Sequence, residues 1–380
     1  MNRRSFGRIV SAAAALTLGG VGYSAAARSR NRYYDGPASD HFDGVTFYVP
    51  GRNDERGLLD MLRWQSAGGR TAWPDSYPSP FQDTPPERVA GLRVVMVGHA
   101  SLLIQVAGQN ILVDPVWSPR ASPFQFAGPK RANPPGIAFD ALPAIDTVLI
   151  THNHYDHLDG ETLDRLWARF RPRIVAPLGN DAIIRSYDGE IIVESLDWGQ
   201  SLGLGGGIAA HLEPALHWSA RGVNDRRMAL WGAYVLTTPA GTLYLAGDTG
   251  YGEGATFRAV RARFGAPRLA VLPIGAYAPR WFMSAQHMDP AEAVKAFADL
   301  GAEQALGIHW GTFRLSNEGV DEPARELAAA LDAASIAPER FLAMRPGQVW
   351  ERAASGTALV PPAQHAEAGP VSREPESGPA

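Results

Sequence analysis

The stretch "VLITHNHYDHLDG", residues 148 to 160, sets three histidines and two aspartates within eight residues, directly after an apolar run. The whole chain of 380 residues holds only ten histidines, so this local density needs a reason. His152 and His154 stand two apart on extended chain and can point their side chains the same way. Asp156 and His157 follow where the chain turns, and can face a second point nearby. Neutral imidazole and carboxylate are the donors of hydrolytic metal sites, which keep a position open for water. Packed together without a cation, three imidazoles would depress one another's pKa and gain nothing obvious in return. The H-x-H-x-D-H spacing therefore reads as the floor of a metal site rather than as a polar loop.

Working outward, "IDTVLIT" before the cluster reads as a buried strand, and "DGETLDRLWARF" after it as a helix. Leu163, Leu166, Trp167 and Phe170 fall at i, i+3, i+4 and i+7, with Asp159 as N-cap. The cluster then lies on a strand-to-helix loop at the carboxyl end of the strand, where open α/β sheets bind ligands. "LRVVMVGHASLLIQVAGQNILVDPVW" reads as three strands with turns near Gly98 and at 108–110. Further strands are expected at Ile174–Ala176, Ile191–Leu196, Ile208–Glu213, Ala229–Thr237, Thr242–Ala246, in "LAVLPIG" and in "QALGIHWGTF". "DPAEAVKAFADLG" carries helix punctuation: Asp289 as N-cap, Pro290 at the first position, Glu292 completing a capping box, Gly301 as stop. "EPARELAAALDAA" reads as the last helix, and "LGLGGG" (202–207), with no Lys-Ser/Thr after it, as a flexible turn rather than a phosphate loop.

Composition narrows the chemistry. Cysteine is absent, so any metal must be held by His, Asp or Glu. The net charge of −4 provides no basic field for nucleic acid, and none is expected as a partner. Residues 1–27 have the layout of an export signal: Arg3, Arg4 and Arg8, an apolar stretch, then Ala25–Ala27. Its "RRSF" resembles a twin-arginine signal, which implies a periplasmic or exported protein. Residues 28–90 are expected to form an irregular lead-in packed on a core at 91–352. Residues 353–380, rich in Pro, Ala, Ser and Glu, read as a disordered tail.

A cluster this local needs donors from elsewhere. His217 in "EPALHWSARG", Asp248 in "LYLAGDTGYG" and His309 in "LGIHWGTF" each end a strand or begin a loop. The order H-x-H-x-D-H, His, Asp in "GDTG", then His resembles the metallo-β-lactamase-fold hydrolases. With "SDHFDG" (39–44), "GHASLLIQ" (98–105), "ILVDPVWS" (111–118), "IGAYAPRWFMSAQHMDPAEAV" (274–294) and "HWGTF", the chain is similar to one branch. That branch comprises the N-acyl-phosphatidylethanolamine-hydrolysing phospholipases D and their bacterial relatives, and the similarity spans about residues 31–350.

The resemblance implies a four-layer αββα sandwich of the α/β class with two zinc ions (Zn2+) per chain. His152, His154 and His217 would hold one zinc, Asp156, His157 and His309 the other, with Asp248 bridging. His154 stands where oxygen-reducing diiron relatives usually carry Glu, which favours hydrolysis. The two ions would lower the pKa of a shared water, and Asp156 and Asp248 would orient the resulting hydroxide. His287 in "SAQHMDP" matches a histidine near the metals in the branch; it either stabilises the phosphoryl charge and leaving group or merely packs at a helix entry. His99 either orients a ligand or is simply buried. His41 and His211 show no partner pattern. The expected activity is a phospholipase D-type phosphodiesterase on N-acyl-phosphatidylethanolamine-like lipids, with peripheral membrane contact. The alternatives are a lactonase or a small phosphodiester or ester hydrolase on the same fold, and a non-catalytic periplasmic metal-binding protein.

Overall fold

The computed structural model describes residues 30–52 and 56–352. The export signal expected at 1–27 and the tail expected at 353–380 lie outside the described residues. Two seven-stranded mixed sheets form the body. The first comprises β1 (Leu92–Gly98), β2 (Ser101–Val106), β3 (Gln109–Val113), β4 (Thr147–Leu149), β5 (Arg173–Pro177) and β6 (Val193–Leu196), with β14 (Val349–Arg352) added beside β1. The second comprises β7 (Ser201–Gly205), β8 (Ile208–Glu213), β9 (Ala233–Thr238), β10 (Gly241–Leu245), β11 (Leu269–Pro273), β12 (Gln304–Ile308) and β13 (Phe341–Ala343), side by side in reverse of that sequence.

The period-2 alternation of the strands builds the layers. Val94, Met96, Leu102, Ile104, Ile111, Val113, Leu149 and Val175 join the large core that also contains the second sheet. Their neighbours Val95, Val97, Leu103, Leu112, Val148 and Ile174 face the opposite way, into a separate core. There they meet Leu163, Leu166 and Trp167 of α2 (Gly160–Phe170) and Ile183 and Ile184 of α3 (Asn180–Arg185). Both faces of the first sheet are thus covered, which is why its strands read as continuous apolar runs. The second sheet is covered by α4 (Ala255–Phe264), α6 (Pro290–Leu300) and α7 (Glu322–Ala333), which contribute Phe257, Phe297 and Leu327 to the large core. The result is the expected helix–sheet–sheet–helix sandwich.

The local punctuation is present. Asp159 caps α2, and Asp289 with Glu292 closes a capping box on α6, which stops at Gly301 in the left-handed region. Two expectations need correction. The lead-in is not wholly irregular: α1 (Leu58–Ala67) lies in it, fixed by Trp64 stacked on Phe282 of α5 (Arg280–Met283) at 5.0 Å. Surrounding Pro and Gly hid its short period. In 202–207, the residues to Gly205 belong to strand β7, and only Gly206 and Gly207 make the turn. Helix α4 was also missed, because charged Arg residues interrupt its single apolar face.

Candidate metal centre

The two sheets bring their strand ends together at one edge of the sandwich. The loop after β4 carries His152, His154, Asp156 and His157; the loop after β8 carries His217; Asp248 follows β10 and His309 follows β12. Close approach depends on glycine. A Cβ at Gly247 would meet the Thr151 side chain at 2.8 Å, and one at Gly275 would meet the His309 carbonyl at 2.1 Å. The sheets are joined at the site by His309 N donating to the His99 carbonyl (2.8 Å) and Gly232 N to the Thr151 carbonyl (3.0 Å). His99, Asp114 and His309 take left-handed φ values of 56°, 42° and 66°. Such strain in non-glycine residues concentrates at functional sites.

The side chains converge on two points. His154 Nδ1 lies 3.0 Å from His152 Nε2 and 3.1 Å from His217 Nε2. Asp248 Oδ2 lies 3.8 and 3.7 Å from the same two nitrogens. On the other side, Asp156 Oδ2 is 3.1 Å from His309 Nε2 and 3.5 Å from His157 Nε2. Asp248 Oδ2 reaches both of these imidazoles, at 3.1 and 3.3 Å. Each group can hold a metal ion, and Asp248 faces both groups. His287 is buried, with Nδ1 3.9 Å from Asp248 Oδ2 and its ring beside His217 and His309. It does not cap α6, since Asp289 does that.

The polar bookkeeping favours a cation. His157 Nε2 and Asp248 Oδ1 are buried without a hydrogen-bond partner. Each such group costs about 1–3 kcal/mol if left so. Facing lone pairs of His152, His154 and His217 cannot all be satisfied by the protons of neutral rings. The donor set therefore fits divalent metal. Burial holds His152 and His217 well below the ordinary imidazole range and His154 and His287 at about 4. Burial acts the same way on His157 and His309, but Asp248 and Asp156 outweigh it, so His157 is raised and His309 pushed up to about 9. Against their own burial, Asp156 is held well below the carboxylate range chiefly by His157, and Asp248 by His309 and His157. The carboxylates stay ionised and demand positive charge.

Comparison with known proteins fits this centre. Residues 109–310 match the family described as "Beta-lactamase superfamily domain". The chain belongs to the metallo-β-lactamase superfamily. It is a metal-dependent hydrolase of that superfamily. It is 35% identical over 273 residues to the N-acyl-phosphatidylethanolamine-hydrolyzing phospholipase D 1 of Caenorhabditis elegans, covering 69% of this chain and 76% of that one. It is 35% identical over 326 residues to an uncharacterized protein of Mycobacterium tuberculosis, covering 84% of each. A solved metallo hydrolase of Ignicoccus hospitalis superposes with a TM-score of 0.51 at 20% identity, over 69% of this chain and 98% of that one.

Within this metallo-β-lactamase fold, several residues support the centre from behind. His99 is buried and its Nε2 lies 2.9 Å from Asp156 Oδ2, so it orients that carboxylate. Asp114, which sequence reasoning passed over, accepts from Thr151 N (2.7 Å) and Thr151 Oγ1 (2.6 Å) and meets His157 Nδ1 at 2.7 Å. Its signals were a carboxylate closing the apolar run "ILVD" and its place in the branch-like stretch "ILVDPVWS". Arg221, also missed, donates to the carbonyls of Asn153 (3.1 Å) and Leu158 (2.7 Å) and covers the Tyr155 ring. His41, which shows no partner pattern in the sequence, lies between Asp40 Oδ1 (2.6 Å) and Asp197 Oδ1 (2.8 Å), and pins the lead-in to the loop before β7. His211 sits on β8 outside the centre.

Proposed function

We propose that this hydrolase is a dizinc phosphodiesterase of the phospholipase D type, acting on N-acyl-phosphatidylethanolamine-like lipids. The observation that carries the reading is one carboxylate, Asp248, shared by two converging donor groups, in a chain 35% identical to an N-acyl-phosphatidylethanolamine-hydrolyzing phospholipase D. His152, His154 and His217 would hold one ion and Asp156, His157 and His309 the other. When bound, the pair supplies Lewis acidity toward the phosphoryl oxygens and lowers the pKa of a water. Asp156 and Asp248 would orient a water at the centre and accept its proton. His287, buried beside Asp248, donates a hydrogen bond to the phosphoryl group as charge develops on it. Asp114 and His99 keep His157 and Asp156 in register. Export through residues 1–27 and contact with a membrane face belong to the same reading.

The test is mass spectrometry of products after incubating the zinc-loaded protein with N-acyl-phosphatidylethanolamine, with Asp248→Ala as control. The expected products are N-acylethanolamine and phosphatidic acid, formed by the parent and not by the variant. Zinc-loaded protein that forms neither product would remove the lipid assignment while leaving the superfamily membership intact.

A further inference from the structure

A second cavity, of about 440 Å³, is lined in part by Arg131, whose guanidinium lies over the Phe313 ring. Arg70, Lys130, Arg131 and Arg314 line it together with Trp73, and Asp75 is its single acid. Among the described residues, none of the four cations forms an ion pair. Arg131 donates Nη2 to the Val116 carbonyl (2.6 Å) and Nε to the Ser118 carbonyl (3.4 Å), while its Nη1 is buried with no partner. Arg314 likewise leaves a buried Nε without a partner. Burial lowers Arg131 to about 10; Arg70 is lowered by burial and then by the charge of Arg314. Four cations against the one acid of the lining, Asp75, with only Asp159 as a further carboxylate near Arg131, describe a receptor for an anion.

We propose that this cavity is a second binding site, distinct from the metal centre, for a phosphate monoester. Four cations against one acid suit a dianion better than a carboxylate, and the guanidinium fork matches phosphoryl geometry. The volume exceeds what a free phosphate fills and falls in the range of organic-ligand sites, so the phosphoryl group is borne on a larger molecule. A lipid is the favoured bearer. The loop that supplies Gly128 and Lys130 to the cavity also carries Phe124 and Phe126, 54% and 81% exposed, with rings 5.4 Å apart. The site is close to the metal centre: the Arg131 guanidinium lies 5.0 Å from the centre of the Phe313 ring, which in turn lies 5.2 Å from the centre of the His99 ring. The inference does not depend on the phosphodiesterase reading.

The experiment is arginine labelling of the metal-loaded protein with phenylglyoxal, read by peptide mass spectrometry. Three additions are compared: inorganic phosphate, phosphatidylcholine vesicles, and the same vesicles containing phosphatidic acid. Labelling of Arg70 and Arg314 should fall roughly tenfold once the ligand exceeds its Kd about tenfold. Labelling of Arg325, exposed on α7, should not change. Protection by phosphatidic acid vesicles alone identifies a lipid-borne ligand, and protection by inorganic phosphate as well shows that the phosphoryl group suffices. Arg70→Gln/Arg314→Gln should abolish vesicle binding that depends on phosphatidic acid, with bound metal and Tm unchanged. The proposal is overturned if no addition protects Arg70 and Arg314, or if Arg325 is protected equally.

Discussion

The first sheet supplies the metal centre with four donors from a single loop, residues 152 to 157, whereas the second supplies three donors one at a time. His217, Asp248 and His309 follow β8, β10 and β12, and meet only because those strands lie in one sheet. The local half is a motif whose spacing carries its own geometry. The distributed half exists only when the sandwich is packed, and it depends on close approaches such as Gly247 on Thr151. Asp248 is the point where the halves join, since its Oδ2 faces His152 and His217 on one side and His157 and His309 on the other. Asp248→Ala should therefore have the largest effect. Bound metal should fall by at least one ion per chain, by elemental analysis of the dialysed protein, and turnover should drop to the protein-free rate. A variant that kept both ions would show that the halves bind independently.

Asp114 tests whether the local half stands by itself. It holds both Thr151 and His157, so it fixes the start and the end of the donor loop. In Asp114→Asn the amide can still accept from Thr151, but its NH2 group would face the N–H of His157 Nδ1, donor against donor. The ring would then lose the tautomer that leaves Nε2 free for metal. Metal affinity should drop by about 10–100-fold, measured by competition with a chromophoric chelator. An unchanged affinity would mean that the loop needs no support from β3.

The same contrast explains what the sequence made legible. The donor loop, the strand before it and the helix after it are local, and spacing with capping was enough to read them. The capping box of α6 was legible for the same reason. His217, Asp248 and His309 were legible only as a set, taken together with the cluster, because a strand-end His or an Asp before Thr-Gly has many ordinary uses. Asp114, Arg221 and the pairing of His41 with Asp197 stayed hidden because their partners are 37 or more residues away, and no local period reports a tertiary hydrogen bond. Helix α1 was hidden for another reason: surrounding Pro and Gly masked its short period, and its buried Trp64 packs on α5, itself only four residues long.

Arg221 is the third test, because it braces the donor loop from the side of the second sheet. Its two hydrogen bonds to Asn153 and Leu158 span the turn that presents His154, Asp156 and His157. Arg221→Ala should cost about 2 kcal/mol of local stability, from lost charged hydrogen bonds at a partly exposed position. Amide exchange of residues 153–158 should quicken while the core strands stay protected. Arg221→Lys should not restore protection, since an ammonium lacks the planar fork and the stacking on Tyr155.

The smallest effect is expected where the sheets touch away from the donors. The Tyr234 hydroxyl, on β9, lies 3.1 Å from the Ile150 carbonyl and 3.3 Å from the Val175 carbonyl of the first sheet. It crosses the inner core at full burial, one residue from the loop that begins at Thr151. Tyr234→Phe keeps the packing and removes one shared hydrogen bond, so stability in urea should fall by about 1 kcal/mol. Metal affinity should not change, because Ile150 precedes the loop that Asp114 already fixes through Thr151. If affinity fell with stability, the local half would owe its geometry to the contact between sheets, and the distinction between a self-sufficient loop and a distributed set of donors would fail.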